Sequence, residues 1–217
     1  MNNRCVVVDR LPENKIDMAT LSAIAATSEA IIRLLRSSYD PTQFNSASLD
    51  FQVYVANDFL NPMDEGVSLL LYRIFQDGTN RTPPGRLLPN GQRGPTRLPL
   101  ELHFILTAWA KTASLQHELA GWMMRTLEDH PILYPSLLNS YKPDVFYPEE
   151  TVEIGLAELS TEDLFNIWDV IIRHVYQLSV PYVARVVRIE STLSDLASSK
   201  VRHRSMEFQN AAALSGA

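Results

Sequence analysis

Apolar residues along the chain follow two rhythms, one near 3.6 residues and one of two, and they alternate from segment to segment. From Asp17 to Tyr39 the rhythm is helical: Leu21, Ile24, Ile31 and Leu35 share one face. Asp17 is placed to cap that helix and Asp40-Pro41 to end it. The alanines between Ala19 and Ala30 suit close packing against another element. LDFQVYV then alternates, with Leu49, Phe51, Val53 and Val55 on one side, as a half-buried strand does. Val67–Phe75 is apolar on both faces, the mark of a central strand. In the next strand Leu100, Leu102, Phe104, Leu106 and Ala108 form an unbroken apolar face, and Glu101, His103, Ile105, Thr107 and Trp109 a mixed one.

Helical spacing returns from Ala113 to His130 through Leu115, Leu119, Trp122, Met123 and Leu127, and Pro131 stops it. Residues 131–150, with Pro131, Pro135, Pro143 and Pro148, read as irregular. Val152, Ile154 and Leu156 restore alternation. Ser160-Thr161-Glu162-Asp163 resembles a capping box and opens a helix from Thr161 to Val175. That helix carries two adjacent apolar sets, Leu164, Ile167, Ile171 and Val175 beside Phe165, Trp168 and Ile172, which predicts burial on two sides. VPYVARVVRIES is the last strand, with Val183, Val187 and Ile189 beside Arg185 on one face and Tyr182, Ala184 and Val186 beside Arg188 on the other.

The order is helix, three strands, helix, strand, helix, strand. The second and third strands follow one another with no helix between them, which favours an antiparallel pair. The expected fold is α+β, a mainly antiparallel sheet with helices on one face. A single domain spans residues 1–192, and residues 193–217, small, polar and basic, read as a flexible tail or arm.

Between the second and third strands lies TNRTPPGRLLPNGQRGPTRLP, with Arg81, Arg86, Arg93 and Arg97 and no acid. A hairpin turns in roughly two to five residues, so a loop of this length calls for a use. Its charge is local, because the whole chain carries a net charge of −6. That acidity argues against nucleic-acid binding. Cys5 is the only cysteine, so neither an internal disulfide nor a cysteine zinc cluster is available. The N-terminal apolar run is too short for a signal peptide, and no run has the length of a membrane span. The expectation is a protein made and assembled in the cytoplasm, with no membrane insertion.

Catalytic patterns fail one by one. His117-Glu118 begins HExxH, but Gly121 stands where the second histidine is needed. His103 and His174 read as structural. Gly85, Gly91 and Gly94 lack the GK[ST] of a P-loop, and neither GxGxxG nor GxSxG occurs. Glu149-Glu150 and Glu162-Asp163 fall at element starts, where solvent and helix N-termini account for them. No catalytic residue, metal site or cofactor is assigned, and the chain reads as a non-enzyme. The candidate chemistry is a contact surface: Arg81, Arg86, Arg93 and Arg97 in the loop, Arg185 and Arg188 on the last strand, and Lys200, Arg202 and Arg204 in the tail.

GVSLLLYRIFQDGTNR, LPLELHFILTAW, HELAGWMMRTLEDHPIL, ELSTEDLFNIWDVI and LSVPYVARVVRIES, in this order, resemble the cap proteins of extracellular contractile injection systems, relatives of phage tail terminators. The resemblance covers roughly residues 12–192. It implies an α+β tail-terminator-like fold and a homo-hexameric ring on the end of the inner tube. Such a ring stops tube polymerisation and anchors the last sheath layer, so the partners are the chain itself, the tube protein and the sheath protein. Under it the long basic loop meets the tube, the sheath or a neighbouring subunit, within a particle that is released or retained. Two alternatives stand beside this reading: an enzyme or small-molecule-binding domain with an unrecognised site, and an assembly adaptor or chaperone for tube subunits. Some relatives are longer, with an added C-terminal region, and this sequence stops soon after the matched part.

Overall fold

The computed structural model describes residues 21–78, 96–171 and 176–191. Six strands form one mixed sheet in the order β1-β2-β3-β6-β5-β4. They are β1 (Asp50–Tyr54), β2 (Gly66–Gln76), β3 (Arg97–Trp109), β4 (Ile132–Leu133), β5 (Val152–Leu156) and β6 (Ser179–Glu190). The helices are α1 (Ala23–Ser38), α2 (Ala113–Asp129), the single turn α3 (Pro135–Leu138) and α4 (Thr161–Ile171).

The central strand is the one whose sequence alternates most cleanly. β3 pairs antiparallel with β2, the strand before it in sequence, on one side and with β6, the last strand, on the other. Its apolar face, Leu100 to Ala108, lies under α1 and α2 in the larger core, joined by Val67, Leu69, Tyr182, Ala184 and Val187. Ala23, Ala26 and Ala30 are fully buried, so the small side chains of α1 do bring that helix onto the core. Tyr39, Phe44, Phe51 and Trp122 close one end, with ring centroids 5.6–6.3 Å apart. Phe104 and Trp168 are both buried, as the sequence pattern predicts.

The other face of β3 builds a second, smaller core. Trp109 meets Leu70, Tyr54, Phe59 and Trp168, and α4 lies on this side of the sheet. Helices therefore cover both faces, not one. Two buried polar pairs form on this face: Trp109 Nε1 donates to Ser68 Oγ at 2.8 Å, and Thr107 and Ser179 share a 2.9 Å hydrogen bond.

The expected pattern is corrected at several places. β1 runs parallel to β2, the exception in an otherwise antiparallel sheet. Phe51 enters the first core, but Val55 is exposed because its N–H donates to Asp58 Oδ2 at 2.7 Å and starts a 3₁₀ turn, Ala56–Leu60. Tyr54 points into the second core instead. α1 begins at Ala23 after Ser22, and Leu21, expected inside, is 86% exposed; Asp17 lies outside the described residues. A bulge in β6 opposite Leu100–Leu102 puts Val186 at φ +67° and shifts the phase of the strand. Val187 consequently joins Tyr182 and Ala184 in the first core, not Val183. The segment read as irregular holds β4 and α3. Asn139 organises it, its Oδ1 accepting from the Val145 and Phe146 N–H groups at 3.0 and 2.8 Å.

Gly66 is where the parallel pairing depends on a missing side chain. It sits opposite Asp50 at φ +147°, and a Cβ there would lie 2.0 Å from the Asp50 carbonyl oxygen. Gly66→Ala forces the two backbones apart and should lower the urea unfolding free energy by about 2 kcal/mol, within the range of strained backbone positions.

Candidate partner-binding surface

β6 and β3 end side by side, and their register sets Arg97 opposite Glu190. Their side chains form an ion pair in which the Glu190 side chain is 1% exposed and that of Arg97 40%. Arg97, expected to point away from its own domain with the loop arginines, is thus held by its own sheet. Burial pushes the Glu190 carboxyl above its ordinary value, against the opposing pull of Arg97. Beside the pair a polar cleft of about 190 Å³ is lined by Arg97, Arg188, Tyr147, Glu149, Glu150, Thr151 and Val186. Arg188 therefore stands on this cleft, among carboxylates.

Arg185 is 54% exposed on the other side of the bulge and lies 3.4 Å from Glu101. Glu101 in turn is 3.8 Å from His103 Nε2. The rings of Tyr72 and Phe75 meet His103 edge-on, and the Arg73 guanidinium stacks 3.6 Å over Phe75. Burial holds the His103 imidazole below its ordinary value, outweighing the attraction of Glu101. Arg81, Arg86 and Arg93, and Lys200, Arg202 and Arg204, lie outside the described residues. Of the candidate arginines the structure brings Arg97 and Arg188 to one cleft and sets Arg185 apart.

α4 departs furthest from expectation. Ser160 Oγ accepts the Asp163 N–H at 3.0 Å and donates to Asp163 Oδ2 at 2.7 Å, so the cap forms through the hydroxyl. Trp168 is the buried residue of the described helix, while Phe165 is 50% and Val170 87% exposed. The described helix is not buried on two sides; Leu164 and Ile171 of one set and Trp168 of the other meet the sheet, and Phe165 is half exposed. Ile172 and Val175 lie outside the described residues.

A groove of about 540 Å³ runs between this helix and the outer face of β2. Leu70, Tyr72 and Arg73 form its sheet wall, and Leu159, Asp163, Asn166, Ile167, Val170 and Ile171 its helix wall. Asp163, Asn166, Ile167 and Val170 follow i, i+3, i+4, i+7 spacing, which puts them on one face. Burial raises the Tyr72 phenol above its ordinary value, and the nearby Asp163 carboxylate adds to the rise against Arg73. Glu190 and this groove are what sequence reasoning missed. A cross-strand register would have paired Glu190 with Arg97, and the acids of α4 could have marked its outer face.

No helix among the described residues is long and apolar enough to cross a membrane, and no cluster of potential metal ligands occurs among them. The fold resembles the sheath/tube terminator of an extracellular contractile injection system, PVC, in its extended state, with TM-score 0.55 and 17% identity over 88% of this chain and 65% of that one. It also resembles the tube-terminating cap of the anti-feeding prophage, with TM-score 0.55 and 15% identity over 84% of this chain and 60% of that one. The chain thus spans less than two thirds of the length of either structure. Among curated proteins none matches it. Residues 26–203 match the Pvc16 N-terminal domain, from the end of the first turn of α1 past the last strand, and the chain belongs to that family.

Proposed function

We propose that this protein is a structural terminator of a contractile injection system, which caps the inner tube as a homo-hexameric ring and anchors the sheath. The observation that carries the reading is the match of residues 26–203 to the family, together with a fold shared with two tube-end proteins. A capping role needs surfaces, not a reaction centre. The described residues offer an apolar groove and exposed arginine on β6, and the sequence adds a one-signed loop. Arginine forks suit carboxylates on a tube, a sheath or a neighbouring subunit, and prolines in the loop limit the entropy lost on docking. Assembly takes place in the cytoplasm, and the tail, residues 193–217, serves as an arm to a neighbour.

The test is tube growth. Tube protein polymerised with the chain should give tubes of limited length in electron micrographs, with the chain at one end. Arg81, Arg86 and Arg93 replaced together by serine should leave the melting point unchanged and release tube growth, since buried interfacial arginines are each worth about 2 kcal/mol. An adaptor would bind tube subunits without limiting length. Unlimited tubes with the unaltered chain would remove the terminator reading.

A further inference from the structure

Val170 and Phe165 remain open to solvent on a helix whose sheet contact is already made by Trp168 and Leu164. An apolar groove with an exposed helix wall is a contact surface waiting for an occupant. Its charge says which occupant. Residues 157–171 carry Glu158, Glu162, Asp163 and Asp169 and no lysine or arginine. Residues 79–95 carry Arg81, Arg86 and Arg93, no acid, and Leu87-Leu88 at the centre. The groove lining is largely apolar with Asp163 as its acid on the helix wall, and Glu158, Glu162 and Asp169 belong to the same segment outside that lining. Among the described residues lining the groove the one cation, Arg73, is held at the sheet wall over the Phe75 ring.

We infer that the groove between α4 and β2 receives residues 79–95 of a second copy of this chain, Leu87-Leu88 on its apolar floor and the flanking arginines on the α4 carboxylates. The way the loop leaves the sheet favours a neighbour over the same chain. β1 pairs with β2 only as far as Leu70, and Arg73 to Gln76 are all exposed. At this end β2 keeps β3 as its paired neighbour and has no strand on the β1 side, and residues 79–95 follow it in sequence. Folded back on itself, a segment of this length reaches roughly 25 Å, enough to cross to an adjacent subunit. Donor and receptor are different surfaces, so the contact is head-to-tail, the kind that closes into a ring. The inference rests on the terminator reading for its ring and adds the surface through which neighbours join.

The test uses the full chain with Cys5→Ser. Leu88→Cys is placed in one preparation and Val170→Cys in a second of different mass, and the two are mixed with tube protein and mildly oxidised. The expected product is a mixed disulfide dimer, about tenfold above either cysteine chain alone. Asp163→Arg should weaken assembly by about tenfold, and Arg86→Asp on the same chain should restore it. A disulfide within one chain carrying both cysteines, persisting under excess cysteine-free chain, would assign the groove to its own loop and overturn the inference. Rings that form without the mixed disulfide, or at full strength with Val170→Arg, would overturn it too. Tube length in the same samples reads the terminator role separately: limited tubes without the disulfide remove this contact and leave that role standing.

Discussion

Phe104→Ala should remove about 3–5 kcal/mol of unfolding free energy, the cost of a large-to-small change in a core that cannot collapse around it. Phe104 has no solvent exposure. It sits mid-way along β3, paired to Leu71 on one side and Tyr182 on the other, and faces the layer of α1 and α2. Each of these elements would have to move to fill the cavity, and none can without leaving its own partners. Phe165→Ala is the internal comparison. It removes the same atoms from a half-exposed position on α4 and should cost below about 1 kcal/mol, as surface substitutions do. Urea unfolding of the two variants checks both values. Equal losses would mean that α4 is packed as tightly as β3 and that its outer face is no open surface.

The contrast between these phenylalanines marks what could be read in advance. β3 was legible because period-two alternation is unambiguous when one face is wholly apolar, and its pairing with β2 followed from the absence of a helix between them. The alanine stripe of α1 likewise declared a closely packed helix. α4 was not legible. Leu164, Ile167 and Ile171 beside Phe165 and Trp168 look the same in sequence whether Phe165 joins Trp168 in a core or stays exposed, since periodicity reports apolar faces and not what covers them. The parallel β1 was hidden because its direction depends on how residues 55–65 cross, and on Gly66 allowing the backbone of Asp50 to approach. The β6 bulge defeated the face assignment for a similar reason. One residue at φ +67°, and a valine at that, reverses the alternation without any sequence cue. The order around Asn139 comes from a side chain imitating backbone hydrogen bonds, which composition alone reads as irregular.

The candidate surface was legible by charge and not by placement. Counting arginines singled out Arg97 with the loop, yet only the register of β3 against β6 reveals the acid opposite it. Arg185 and Arg188 were placed on opposite faces by strict alternation, and the bulge between Ala184 and Val187 is what redistributes them. The groove needed two elements far apart in sequence, and neither half is distinctive alone.

Arg97→Ala should cost about 3 kcal/mol near pH 7, the lower end of the loss for breaking a buried ion pair because the guanidinium is partly solvated. The loss arises from what remains: a Glu190 carboxylate with a 1% exposed side chain and no opposing charge from Arg97. Its pH dependence has a definite sign. Burial raises the folded carboxyl above its ordinary value of 4.5, so the fold favours the protonated form. The contribution of Glu190 to stability is therefore greatest below 4.5 and declines as pH rises through the raised folded value. Removing Arg97 takes away an influence that lowers that value, which deepens the decline and moves it to higher pH. Glu190→Gln abolishes it, and in that background Arg97→Ala should cost no more than about 1 kcal/mol at any pH. Urea unfolding of the four proteins from about pH 4 to pH 8 tests the whole cycle. The pair joins the two strand ends from which the basic loop and the tail depart, so its loss should also loosen the footing of both in assembly. If Arg97→Ala is silent across that range, Glu190 is solvated without it, and Arg97 is free to serve a partner with the arginines of the loop.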